Sequence, residues 1–461
     1  MHIRNTGSAP TLEDCLRAAD ETQELILRKG ALKEIPAVLR AYFDKAASCL
    51  LVACEFTYAA AGERVRALLE REGIPVHTHI FPGTPRLHAD YTHVHTLISR
   101  LSSFPPHTPI VPLAVGSGTI NDLVKRAAFE RSLPYLCIPT AASVDGYTAN
   151  GAALLCDGFK QTFPCTAPKV VATDPVVLAH APAYLSSSGF GDLASKIIAG
   201  TDWIIAEKAG ALGAPGAEPI NEKAWAMTQP GILDALHRSV NAARGDEDAV
   251  SALFGALAVT GFAMQYHKNS RPVSSAEHSF SHVWEMEDLS VRGVPVTHGH
   301  KVTIGTLAVT AFTELFFADP EGPPPVPKDF RRPALAERKT EVAAAFRGSR
   351  SQASALKTAS EKYMEDPQAE KVNAGFRDSW KDIRDQVIER LLPYKDLSSL
   401  LENAGCPLRP EAINLSRTEA IATARRAQMI RNKYSVLDLA WDMGNFETIL
   451  SRLEASERYL R

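Results

Sequence analysis

Residues 109–115 form an unbroken apolar run of strand length that leads into Gly116-Ser117-Gly118-Thr119-Ile120-Asn121-Asp122, and a helical pattern then runs to Glu130. A strand that is apolar throughout is one buried on both faces, as in a parallel sheet; a half-exposed strand alternates instead. The same rhythm surrounds this turn. Residues 48–54, 75–81 and 135–138 read as strands, and 60–72 and 89–101 read as amphipathic helices between them. Strands alternating with helices pack as right-handed βαβ units. Two further helices are expected ahead of them, at 12–28 and 31–43. The fold class predicted is α/β, with an N-terminal Rossmann-like domain on a parallel sheet.

Beyond residue 182 the composition shifts from strand formers to Ala and Leu. Helical patterns cover 190–208, 232–241, 249–265, 276–287 and 298–317. The expected division is an α/β dinucleotide-binding domain at 1–180 and an all-α metal- and substrate-binding domain at 181–461. Five prolines between Pro320 and Pro327 make that stretch a connector. Residues 333–461 read as an extension of charged amphipathic helices, with one helix expected over 435–453.

The net charge of -3 over 461 residues gives no overall pull toward nucleic acid or an anionic membrane. An anionic substrate must therefore meet a local basic pocket. No apolar run reaches the roughly 18 residues that a membrane-spanning helix needs, and residues 1–6 lack the apolar core of a secretory signal. The seven cysteines form no CxxC pair, which suits buried thiols in a reducing cytoplasm. A homodimer is compatible with the many exposed helices.

Three segments carry the chemistry. In the turn, Gly116 and Gly118 let backbone N–H groups approach an anion at a helix N-terminus, which suits a pyrophosphate. The next strand ends in Pro139-Thr140-Ala141-Ala142-Ser143-Val144-Asp145-Gly146, so this cluster faces the same carboxyl edge of the sheet. Its hydroxyls suit cofactor contacts, and Asp145 is either a polar contact for a hydroxylated substrate or a turn residue capping its own backbone. Finally Asp192 in Gly189-Phe190-Gly191-Asp192, His278 in Ser275-Ala276-Glu277-His278, and Thr297-His298-Gly299-His300 supply one carboxylate and separated imidazoles. Asp192 is expected at the start of a helix, where an ordinary N-cap is the alternative. His278 and His282 are four apart and share a helix face, whereas at most one of His298 and His300 joins the same site. Such ligands suit Zn²⁺, Ni²⁺ or Fe²⁺ and leave positions open for substrate oxygens. A dinucleotide turn beside a metal set points to metal-assisted hydride transfer.

The segments GSGTINDLVK, PTAASVDG, DGFKQTFPC, GFGDLASK, SRPVSSAEHSFSH and THGHKVTIG resemble the sn-glycerol-1-phosphate dehydrogenases, within the dehydroquinate synthase-like and iron-containing alcohol dehydrogenase superfamily. The likeness runs from about residue 30 to 310. It implies reversible, NAD(P)-dependent reduction of dihydroxyacetone phosphate to sn-glycerol 1-phosphate, a step of phospholipid metabolism. By the same resemblance Asp192, His278 and His298 are the metal ligands. Gly118, Thr119, Ile120, Asn121 and Asp122, with Thr140, Ala141, Ala142 and Ser143, hold the dinucleotide. Asp145 and His282 contact substrate, as does Asp192 through the metal site. Ala149 stands where some relatives carry a cofactor-binding serine, and Thr148 is the expected substitute. The tail beyond Pro333 is longer than the family pattern leads one to expect.

His282, one helical turn from a ligand, is placed to orient a substrate hydroxyl or relay its proton. Arg271 is the expected partner of the substrate phosphate, with Lys160 and Lys301 behind it; a solvated surface charge is the alternative for each. No acid follows the strand at 75–81, which leaves NADH and NADPH both usable. The rival activities are a glycerol-type polyol dehydrogenase and a dehydroquinate synthase-like lyase. A catalytically idle binding protein has no physical reason to keep all three ligands.

Overall fold

A computed structural model of the chain describes residues 9–43, 48–105, 108–157 and 159–461. The reading of residues 1–6, and Gly158 of the DGFKQTFPC segment, lie outside these. The chain divides into two compact units. One joins Ala9–Leu193 to Leu233–Asn269; the other joins Ala194–Ile232 to Ser270–Arg461.

The first unit is built on a six-stranded sheet. Its strands are β1 (Glu24–Leu27), β2 (Ser48–Cys54), β3 (Val76–Phe81), β4 (Ile110–Gly116) and β5 (Leu136–Pro139). A separate antiparallel hairpin of β6 (Gly151–Cys156) and β7 (Phe159–Pro164) precedes the last of them, β8 (Val170–Thr173). The order is β1-β8-β5-β4-β2-β3 with every neighbouring pair parallel. All seven residues of β4 are buried, as its unbroken apolar run requires. On one face Ile26, Leu32, Leu39, Val65, Leu69, Leu113, Leu136 and Val170 pack into a single core. From β2 the chain leads outward to β3, whereas from β4 it leads the other way to β5. The connections leaving these two adjacent strands therefore part at their carboxyl ends. Such a switch point is where open α/β sheets leave a crevice for ligands.

Three expectations are corrected here. Residues 12–28 are not one helix: Leu12–Ala18 is helical, and Glu24–Leu27 is edge strand β1 paired with β8. The three-residue apolar run Leu25-Ile26-Leu27 fits either period, and pairing with a distant strand decided it. Strand β8 and the β6–β7 hairpin were not anticipated. Residues 435–453 are two helices, Val436–Asp442 and Phe446–Ala455, because Gly444 takes a left-handed φ of +78° between them.

Among the described residues one helix, Glu247–His267, is long and apolar enough to cross a membrane, with mean hydropathy 1.4. Its apolar surface is used inside the sheet-bearing unit, where Leu253, Phe254, Leu257 and Phe262 are fully buried. The second unit is helical. Its helices Lys196–Ala211, Ala276–Met286 and His298–Phe316 are joined, beyond a helix-free stretch at 318–334, by eight further α-helices from Leu335 to Ala455. Trp284 Nε1 on Ala276–Met286 donates to Thr423 Oγ1 at 3.0 Å, so the tail is packed onto the helix that carries His278.

Candidate functional site

The side-chain oxygen of Asp192 and one ring nitrogen each of His278 and His298 lie within 4.8 Å of one another. Three separated stretches of sequence meet there. Asp192 is near the C-terminal end of the helix Ala183–Ala194, not at a helix start, so the N-cap alternative and its macrodipole argument do not apply. It is fully buried, and its Oδ2 accepts the backbone N–H of Asp145 at 3.0 Å. His278 is on the first turn of Ala276–Met286, and His298 opens His298–Phe316. These two helices approach closely because a Cβ on Gly305 would stand 2.5 Å from the Glu277 carbonyl oxygen. Gly305 lies seven residues past His298, on the same helix face.

Both imidazoles are oriented by carboxylates. His278 Nδ1 is 2.8 Å from Glu277 Oε1, and His298 Nδ1 is 2.7 Å from Glu285 Oε1. A carboxylate accepts, so each Nδ1 carries the proton and each Nε2 keeps its lone pair. Burial holds the His278 pKa well below the usual imidazole value, with nearby Lys196 and His298 adding to the effect. Neutral rings are what a metal requires. Burial also pushes Glu277 up to about 7. One carboxylate with two neutral imidazoles suits a divalent transition metal. The ring of His282 is 6.5 Å from that of His278, centre to centre, and half-buried.

At the other location, the helix Gly118–Glu130 starts directly after β4. Its N-cap, Ser117, makes no side-chain capping bond. The first N–H groups of a helix have no intrahelical partner, which holds for those of Gly118, Thr119 and Ile120. A Cβ on Gly118 would stand 2.7 Å from Val144 Cγ2, which is why this position needs glycine. Thr140 N donates to the Gly116 carbonyl at 3.1 Å, which ties the Thr140–Ser143 stretch to the turn. Ala141 and Ala142 are fully buried, and Ser143 Oγ is 3.0 Å from the Tyr147 hydroxyl.

Several side chains predicted to meet ligands have other work. Asn121 Nδ2 donates to the Gly146 carbonyl at 3.1 Å, and its Oδ1 accepts from Tyr135 at 3.0 Å. Asp122 Oδ2 accepts the Ala153 N–H at 3.3 Å. Thr148 is fully buried, with its hydroxyl on the Ala258 carbonyl at 2.8 Å. Arg271 is only 1% exposed and donates to the Asp202 carbonyl at 2.7 Å. Lys301 is buried beside Glu285, Nζ to Oε1 3.5 Å. Sequence reasoning missed Lys125, which is fully buried and donates to the carbonyls of Gly146 (2.7 Å) and Gly151 (2.9 Å). Its place one turn past Asn121, on the same helix face, was the available signal. Glu277 and Glu285 were likewise missed.

A glycerol-1-phosphate dehydrogenase [NAD(P)+] of Bacillus velezensis is 32% identical over 291 residues, covering 63% of this chain and 71% of the relative. The enzyme of that name from Halalkalibacterium halodurans is 34% identical over 63% of this chain and 70% of its own. The chain belongs to the glycerol-1-phosphate dehydrogenase family. A profile of the iron-containing alcohol dehydrogenases also matches residues 26–182. The fold is shared with an iron-containing alcohol dehydrogenase of Thermococcus thioreducens, at TM-score 0.57 and 15% identity over 95% of this chain and 99% of that one. It is shared too with a probable glycerol dehydrogenase of Sinorhizobium meliloti, at TM-score 0.59 and 14% identity over 94% and 98%. Coverage of that extent takes in most of the residues beyond Pro333. The tail is thus part of the shared fold rather than an addition to it.

Proposed function

We propose that this protein interconverts dihydroxyacetone phosphate and sn-glycerol 1-phosphate with NAD(P)H and NAD(P)+, using one divalent metal held by Asp192, His278 and His298. The observation that carries this is the meeting of those three ligand atoms in a chain about one-third identical to enzymes of that name. Zn²⁺, Ni²⁺ and Fe²⁺ all suit the donors. When bound, the metal supplies Lewis acidity toward a substrate oxygen and the dinucleotide supplies the hydride. The chain's own groups bind and orient. The N–H groups at the start of Gly118–Glu130 receive the pyrophosphate, with the Thr140–Ser143 stretch beside them. Asp145 and His282 orient the substrate hydroxyls, and the bond from Asp145 N to Asp192 fixes one with respect to the other. The sheet-bearing unit serves the cofactor. The seven cysteines are free thiols, in keeping with a reducing cytoplasm.

The test is nicotinamide absorbance during reduction of dihydroxyacetone phosphate by metal-reconstituted protein, with the product's stereochemistry determined. Formation of sn-glycerol 1-phosphate, lost on chelation and restored by metal, is expected. Equal turnover of unphosphorylated dihydroxyacetone would instead identify a polyol dehydrogenase. A product formed without net nicotinamide change would identify a lyase.

A further inference from the structure

The helix Ala276–Met286 carries two buried glutamates as well as His278. Glu277 is fully buried, and its Oε1 accepts both the Ser275 N–H and the His278 Nδ1–H at 2.8 Å. Glu285, with its side chain 7% exposed, receives the His298 Nδ1–H at 2.7 Å, with Ser281 Oγ 3.4 Å away. An ionised carboxylate is costly to bury unless hydrogen bonds or opposite charge offset it. Both glutamates face ligand imidazoles, and Lys301 Nζ stands 3.5 Å from Glu285 Oε1. The remaining group is contributed by the tail. Arg431, in a left-handed backbone at φ +62°, donates to the Ser275 carbonyl (3.2 Å) and the hydroxyls of Ser270 (3.3 Å) and Ser274 (2.9 Å). Lys433 Nζ donates to the same two hydroxyls, at 2.8 and 3.1 Å. The loop that delivers His278 to the site is therefore clamped from the C-terminal helices.

We infer that Glu277 and Glu285 are positioning residues of the metal centre, each fixing one ligand imidazole so that Nε2 faces the ion, and that Arg431 clamps the loop that delivers His278. This rests on reading Asp192, His278 and His298 as the ligand set. Carboxylates behind metal-bound histidines set the tautomer, the ring orientation and the basicity of the ligand, and their loss weakens metal binding by about 10–100-fold. Glu277→Gln and Glu285→Gln keep shape but lose charge, and about tenfold weaker Zn²⁺ binding is expected. Glu277→Leu and Glu285→Leu also lose the acceptor, and a loss nearer 100-fold is expected. Arg431→Met leaves all three ligands and both glutamates in place and weakens binding by a smaller factor.

The measurement is Zn²⁺ affinity of the full chain by competition with a chromophoric chelator. Circular dichroism of the metal-free protein reports folding separately. Co²⁺ substitution adds a visible ligand-field band, which a purely structural role would leave unmoved and ring reorientation shifts. Glutamine variants that fold, bind Zn²⁺ within twofold of the unmodified chain and keep its Co²⁺ band overturn the inference. If the leucine variants do not fold, the glutamine pair decides. Failure of the unmodified chain to bind any of Zn²⁺, Ni²⁺ or Co²⁺ instead removes the ligand set, and the inference with it.

Discussion

At the end of β4, in the proposed pyrophosphate site, the donors are backbone N–H groups, while the side chains around them are engaged in holding a loop. Asn121 and Lys125 both donate to the Gly146 carbonyl, and Asp122 receives the Ala153 N–H. At the start of His298–Phe316 the reverse holds. In the metal site proposed there the donors are side chains, each imidazole backed by a buried glutamate. A backbone site needs only a strand, a tight turn and a helix in succession, so local sequence writes it. A side-chain site needs partners from distant segments and buries charge that must be compensated. The first kind tolerates change in most nearby side chains. The second does not.

The sharpest way to break this contrast is Asp192→Asn or His278→Ala. Either is expected to lower turnover by on the order of 10³-fold or more and to abolish metal retention, read by metal analysis after dialysis against chelator. Full activity after that dialysis would leave the side-chain site without a function. Next is the charge buried in the helical unit, which should show in its acid profile. Burial raises the Asp442 pKa from 3.8 to about 6. Its folded-state pKa is above the unfolded one, so its contribution to stability is complete below pH 3.8 and is lost as pH rises through about 6. The swing is about 3 kcal/mol at most. Denaturant unfolding between those pH values should show it, and Asp442→Asn should flatten that part of the curve.

A side chain placed in the backbone site tests the other half of the comparison. Gly118→Val puts atoms against Val144 and over the helix N-terminus. We expect KM for the dinucleotide to rise by about 10²-fold with the metal content unchanged. A variant that loses metal instead would show the two sites are one. The smallest effect is expected from Lys125→Met, which takes a donor from the Gly151 carbonyl and leaves the Gly146 carbonyl with Asn121 alone. A loss of about 1–2 kcal/mol in unfolding free energy is expected. KM should rise more for substrate than for dinucleotide, because Lys125 holds the loop beyond Asp145 and not the N–H cradle.

Much of the sheet-bearing unit was legible because its signals are local. The strands at 48–54, 75–81, 109–115 and 135–138 and the helix after Gly118 all form where their apolar periods put them. Edge strand β1 was read as helix because Glu24–Leu27 has no period of its own and is made a strand by pairing with β8. At the site, the residue types Asp, His and His were visible, but their surroundings were not. Asp192 lies at the end of a helix rather than its beginning. Arg271 is folded inward onto the Asp202 carbonyl. Thr148 is fixed to Ala258, 110 residues away. Each of these depends on a partner that no local pattern names.

By itself the sequence determined a parallel sheet, a glycine turn that only a strand-to-helix junction explains, and the chemical kinds of ligand available for a metal. Tertiary structure decided that two glutamates stand behind the rings of His278 and His298, and that the tail clamps the loop before His278. Period and turn chemistry act over a few residues and are written locally. Convergence depends on how helices far apart in the chain pack, and that is set by close approaches such as Gly305 against Glu277.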